Sequence, residues 1–138
     1  MPARTPPQTH GYSGKPLYQK LGLKPGMTCL AIKPPPHYPD LVAGVEGVRF
    51  LKRAASSNCV HVFCRRRRDV ASLFDRALAS VVPGGMIWVS WPKKNSSLFI
   101  DLTEQDLRDH VLPLGWVDTK VCAVDTDWSG LKFLKRKT

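Results

Sequence analysis

Gly84-Gly85-Met86-Ile87-Trp88-Val89-Ser90-Trp91-Pro92-Lys93-Lys94 is the stretch whose reading decides how this chain folds. A glycine turn, an apolar run rich in β-formers and a stop of proline and lysines predict a buried strand over 85–91. A strand that is apolar on both faces must be covered on both. That requires helices on either side of a mostly parallel sheet, and in such sheets ligands sit beyond the carboxyl ends of the strands. Here that end is Ser90-Trp91-Pro92-Lys93-Lys94.

Working outward, Val70, Leu73, Phe74, Ala77, Leu78 and Val81 recur at helical spacing and predict an amphipathic helix over 69–82, ended by Pro83-Gly84-Gly85. Cys59 to Cys64 before it is a third strand, apolar except for His61. The first strand, over 27–33, stops at Pro34-Pro35-Pro36, and a turn or two of helix fits around 39–45. The second strand, over 48–51, is separated from the third by a segment too short to hold a helix, so its direction stays open. Upstream, Pro16 and Gly22 bracket a short helix. Downstream, Thr103 with Asp106 has the spacing of a capping box that opens a helix to about Leu112. Strands over 117–124 and 131–134 follow as a hairpin. The proline- and glycine-containing segment 1–15 reads as a flexible tail, and the remainder as one domain.

The expected fold is a three-layer, Rossmann-like α/β arrangement. Its mostly parallel sheet of about six strands, ordered 2-1-3-4-6-5, ends in an antiparallel hairpin.

Composition narrows function. The chain carries 21 Lys+Arg against 11 Asp+Glu in 138 residues, and the excess lies in the first two thirds. Such an imbalance points to an anionic partner, a nucleic acid or a phosphorylated small molecule. No window has the roughly eighteen consecutive apolar residues of a membrane span, and no signal core follows the N-terminus; a cytoplasmic location and no membrane partner are expected. Cys29, Cys59, Cys64 and Cys122 fall inside apolar runs without a C-x-x-C pair, which predicts buried reduced thiols and no metal site. Oligomeric state is not legible.

The order of elements resembles a trimmed S-adenosylmethionine-dependent methyltransferase. The turns Leu21-Gly22-Leu23-Lys24-Pro25-Gly26 and Pro83-Gly84-Gly85 are similar to its equivalent turns. The segments 85–93, 112–115 and 121–132 further resemble a bacterial family, domain of unknown function 3052. That family carries no assigned activity, so the resemblance implies the fold and no catalytic residue.

The chemistry of the methyltransferases is less well matched. Their cofactor needs a glycine-rich loop after the first strand, where this chain has Lys33-Pro34-Pro35-Pro36-His37, and an acidic side chain after the second, where it has Lys52-Arg53. No cofactor is therefore expected, and the reading leans away from an enzyme. The sharpest local feature is Arg65-Arg66-Arg67-Arg68, between a strand end and a helix start, where a bound anion would relieve the cations' conflict with the helix dipole.

The expected site is an anion-binding rim of Lys33, His37, Arg65, Arg66, Arg67, Arg68, Ser90, Trp91, Lys93 and Lys94. The expected function is a non-catalytic module. A divergent methyltransferase and a protein-interaction domain with no small ligand are the alternatives. His61 reads as a hydrogen-bonded core histidine, Trp91 also as a cap on the core, and Asp125, Asp127 and Trp128 as residues facing the rim from the hairpin loop.

Overall fold

In the computed structural model, which describes residues 14–137, the six strands form one sheet of order β2-β1-β3-β4-β6-β5. These are β1 (Thr28–Ile32), β2 (Arg49–Leu51), β3 (Ser57–Phe63), β4 (Val81–Pro92), β5 (Trp116–Ala123) and β6 (Trp128–Lys135). The first four are mutually parallel, and β6 runs antiparallel between β4 and β5. This is the expected order, and it fixes β2 as parallel, with Thr28 beside Arg49 and Leu30 beside Leu51. The expected tail at 1–15 lies almost entirely outside the described residues.

The centre of the sheet is buried on both faces. Ile87 and Trp88 point to opposite sides of β4 and are both fully buried. Ile87, Val89 and Trp91 pack with Leu30, Val60 and Val62 beneath α3 (Val70–Ser80) and α4 (Glu104–Val111). On the other face Met86 and Trp88 pack with Cys29, Cys59 and Phe63 beneath α1 (Leu17–Leu21) and α2 (Tyr38–Leu41). Strand alternation thus splits the apolar residues between two cores, which makes three layers.

Local chemistry sets the ends. Gly22, at φ 82°, closes α1 in the left-handed conformation, and the carbonyl of Leu21 accepts the indole N–H of Trp88 at 3.0 Å, tying that helix to the central strand. The capping box at α4 is complete: Thr103 Oγ1 accepts the Asp106 N–H, and the Asp106 carboxylate accepts the Thr103 N–H.

One expectation needs correction. Pro83-Gly84-Gly85 is no turn between helix and strand. α3 stops at Ser80, and β4 starts at once with Val81 beside Ser57, so the glycines sit in an irregularity within the strand. Sequence periodicity carries Val81 into the helix because its spacing fits both elements. α2, expected as a turn or two around 39–45, is one turn over Tyr38–Leu41.

Candidate functional site

The carboxyl ends of β1, β3 and β4 and the loop between β5 and β6 meet on one rim. Strand order reverses between β1 and β3, because the chain proceeds from β1 to β2 on one side and to β3 and β4 on the other. Loops leaving the sheet in opposite directions at such a point leave a crevice. A cleft of about 430 Å3 lies there, with Lys33 and His37 from the loop after β1 and Arg65 and Arg66 from the end of β3. Asp69, Asp127, Trp128 and Phe63 complete its walls.

Lys33 is the one non-glycine residue in the left-handed region among those described, at φ 57°. An L-residue pays roughly 1–2 kcal/mol for that conformation, and a following proline disfavours it further. The three prolines therefore do not remove the left-handed turn expected of a cofactor loop; it is made one residue before them. The strain sits at the end of β1, beside the cleft.

His37 has an acidic partner. Its Nε2 lies 2.8 Å from Asp125 Oδ2, while Asp125 Oδ1 accepts the backbone N–H groups of Asp127 and Trp128 at 2.8 and 2.9 Å. The carboxylate is thus fixed by its own turn, and it fixes the imidazole, which is half exposed. Asp127 is held in turn, its carbonyl by the Lys93 N–H and its carboxylate by Ser96 Oγ. The pairing of His37 with Asp125 across 88 residues is not visible in the sequence. Asp125 and Trp128 were legible only as residues facing the rim, and Asp69 and Phe63 carried no signal.

The expected site residues divide into four groups. Lys33, His37, Arg65 and Arg66 come together in the cleft, whereas Arg68, Lys93 and Lys94 lie outside its walls. Arg67 is engaged elsewhere: its backbone N–H donates to Asp101 Oδ1, its Nε to Asp106 Oδ2 at 3.1 Å and its Nη2 to the Asp101 carbonyl. The Thr103 backbone N–H, with Arg67 adding to it, holds the Asp106 carboxyl below its ordinary value. Arg67 is thereby a brace between the start of α3 and the start of α4.

Ser90 and Trp91 are buried. Trp91 belongs to the core under α3 and α4. Ser90 Oγ is 2.7 Å from His61 Nε2, and the other nitrogen of that ring is 3.0 Å from the Tyr38 hydroxyl. Burial pushes His61 down to about 3, so its imidazole is neutral, and it acts as a core histidine. At the rim, desolvation pushes the Cys64 thiol up to about 11, which keeps it protonated and unsuited to nucleophilic work. Cys122 is half-buried rather than fully so.

No family model matches the sequence, so the likeness to domain of unknown function 3052 stays a resemblance, and no curated protein matches it. Solved structures do match. An S-adenosylmethionine-dependent methyltransferase from Aquifex aeolicus superposes with a TM-score of 0.56 at 14% identity, over 85% of this chain and 86% of its own. The magnesium protoporphyrin IX methyltransferase of Synechocystis PCC 6803 with bound S-adenosylmethionine gives 0.55 at 10% identity, over 88% of this chain and 74% of its own. The 1,6-didemethyltoxoflavin-N1-methyltransferase of Burkholderia thailandensis, with its substrate and S-adenosylhomocysteine bound, gives 0.54 at 14%, over 88% and 75%. At such identities the likeness establishes the fold: this chain has the methyltransferase-like Rossmann α/β fold.

Proposed function

We propose that the protein is a divergent S-adenosylmethionine-dependent methyltransferase that takes the cofactor in the cleft between β1 and β3. The observation that carries this reading is the left-handed turn at Lys33. It sets one left-handed residue at the strand-order reversal, a conformation that a cofactor loop otherwise takes with glycine.

The residues present fit the cofactor at its amino-acid end. Arg65 and Arg66 are suited to its carboxylate, and the carboxylates of Asp127 and Asp69 to its ammonium or to ribose hydroxyls. Bound there, S-adenosylmethionine would supply an electrophilic methyl group. His37, oriented by Asp125 at the cleft, is the group placed to take a proton from an acceptor.

A second reading, the non-catalytic anion-binding module, is favoured by one observation. The position after β2 that would hold an acid for the ribose carries Lys52 and Arg53, both exposed. A phosphorylated ligand suits those cations better than a ribose diol does.

Calorimetry separates the two. S-adenosylmethionine and S-adenosylhomocysteine are expected to bind with Kd below about 10 μM, near −7 kcal/mol, and Arg65→Ala/Arg66→Ala to weaken both about tenfold or more. Absence of binding to either, alongside saturable binding of a phosphorylated nucleotide, would replace the first reading with the second.

A further inference from the structure

Beyond the Lys33–Pro36 wall of the cleft, above the ends of β1 and β2, lies a second concavity of about 590 Å3. Its walls are apolar: Pro39, Val42 and Val45 from the α2 segment face Phe50 and Leu51 of the edge strand. Phe50 is 39% exposed, a ring that the fold leaves half uncovered, and it stands edge-on to Tyr38 at 6.4 Å between centroids. Among the described residues, the charged side chains lining this slot are Lys33, Lys52 and Arg76, and no carboxylate lines it. All three are exposed, and none makes a hydrogen bond or ion pair through its side chain with a described residue.

We infer that this slot is a binding site for a flat organic anion, an apolar or aromatic body carrying one carboxylate or phosphate. Each part of the slot selects one part of such a molecule. A bare inorganic anion would leave the apolar walls and Phe50 uncovered. A neutral hydrophobe would give the three cations nothing to pair with, and a cation would be repelled. Pockets of this size, mostly apolar with a few convergent polar groups, are typical of small-molecule sites. The inference does not rest on the methyltransferase reading, since Arg76 and the apolar walls belong to the slot alone.

The test is calorimetry on the full chain with 1-naphthoate, its neutral isostere 1-naphthalenemethanol, and inorganic phosphate as probes. One saturable site for 1-naphthoate is expected, with the alcohol and phosphate each at least about tenfold weaker, about 1.4 kcal/mol. Arg76→Glu, at an exposed position that the cofactor reading does not use, is expected to weaken 1-naphthoate binding at least about tenfold without altering S-adenosylmethionine binding in the cleft. Ala43→Trp, which fills the slot from its exposed wall, is expected to abolish it by exclusion. Unchanged 1-naphthoate affinity in both variants, equal binding of the alcohol, or no saturable binding by the wild type would each overturn the inference. Loss of S-adenosylmethionine binding alone would count against the cleft and leave the slot standing.

Discussion

Two residues carry opposite kinds of cost. Lys33 holds a left-handed conformation that glycine would adopt freely, so Lys33→Gly relieves strain while raising the entropy of the unfolded chain. With the first worth about 1–2 kcal/mol and the second about 0.5–1 kcal/mol, the variant is expected to be more stable by up to about 1.5 kcal/mol in urea denaturation. A destabilised variant would mean that the lysine side chain is itself bound in place. His61 costs stability in acid. Its folded value is about 3 against an ordinary 6.5, so between those limits the unfolded chain takes up a proton that the folded chain refuses. Stability is then independent of this residue above pH 6.5 and falls by about 1.4 kcal/mol per unit as pH drops toward 3. His61→Leu is expected to flatten the part of the acid slope between pH 6 and 4 that this group supplies. At pH 7 it should lose about 1–3 kcal/mol for the Ser90 hydroxyl left unpaired, while the Tyr38 hydroxyl keeps the Cys29 thiol as a partner at 3.9 Å. Unfolding midpoints of both proteins across that pH range decide it. The histidine's burial was legible from its place in an apolar strand; its two hydroxyl partners were not, because one lies 23 residues upstream and the other 29 downstream.

At the level of elements, both helical layers were legible because the central strand is a continuous apolar run and apolar residues recur at helical spacing in α3; the strand order was legible from the resemblance of the element succession. The start of β4 was not, since glycine and proline signal a break without saying whether a turn or a bulge makes it. Gly85 shows the difference. A Cβ there would lie 2.8 Å from the Asn58 carbonyl oxygen, 2.8 Å from Val81 Cγ2 and 2.9 Å from the Val82 carbonyl oxygen. Two of these neighbours are backbone and cannot swing away, because β3 and the folded-back start of β4 close on this residue. In a free turn, alanine at this position would be harmless. In the bulge, Gly85→Ala is expected to destabilise by about 1–3 kcal/mol through overpacking, read as a lower urea midpoint with an unchanged m-value. Gly84→Ala is a different case: nothing lies near its Cβ, and only its φ of 80° opposes the change.

For the whole molecule, the question is what the excess of cations is for. The rim as read from the sequence gathered seven, Lys33, the four arginines, Lys93 and Lys94, which is enough to follow a nucleic-acid backbone. The structure diverts Arg67 into bonds with Asp101 and Asp106 and brings the acidic groups of Asp69, Asp125 and Asp127 to the same rim, which breaks up the positive surface. Sequence could locate the arginine run but not this pairing, because the partners lie 34 and 39 residues further along. A continuous phosphate track of four to six contacts would give a log-log salt slope of about −4 to −5 on duplex DNA, as each contact releases counterions. A small ligand held in a cleft needs no such track and depends on salt only weakly. A titration of labelled DNA and RNA against wild type and Arg65→Ala/Arg66→Ala/Arg68→Ala, which spares the bracing Arg67, tests this directly. The expected result is weak binding that vanishes at physiological salt and differs little between the two proteins. A slope near −4 with retained affinity at that salt, lost in the triple variant, would assign the rim to nucleic acid and displace the small-ligand reading.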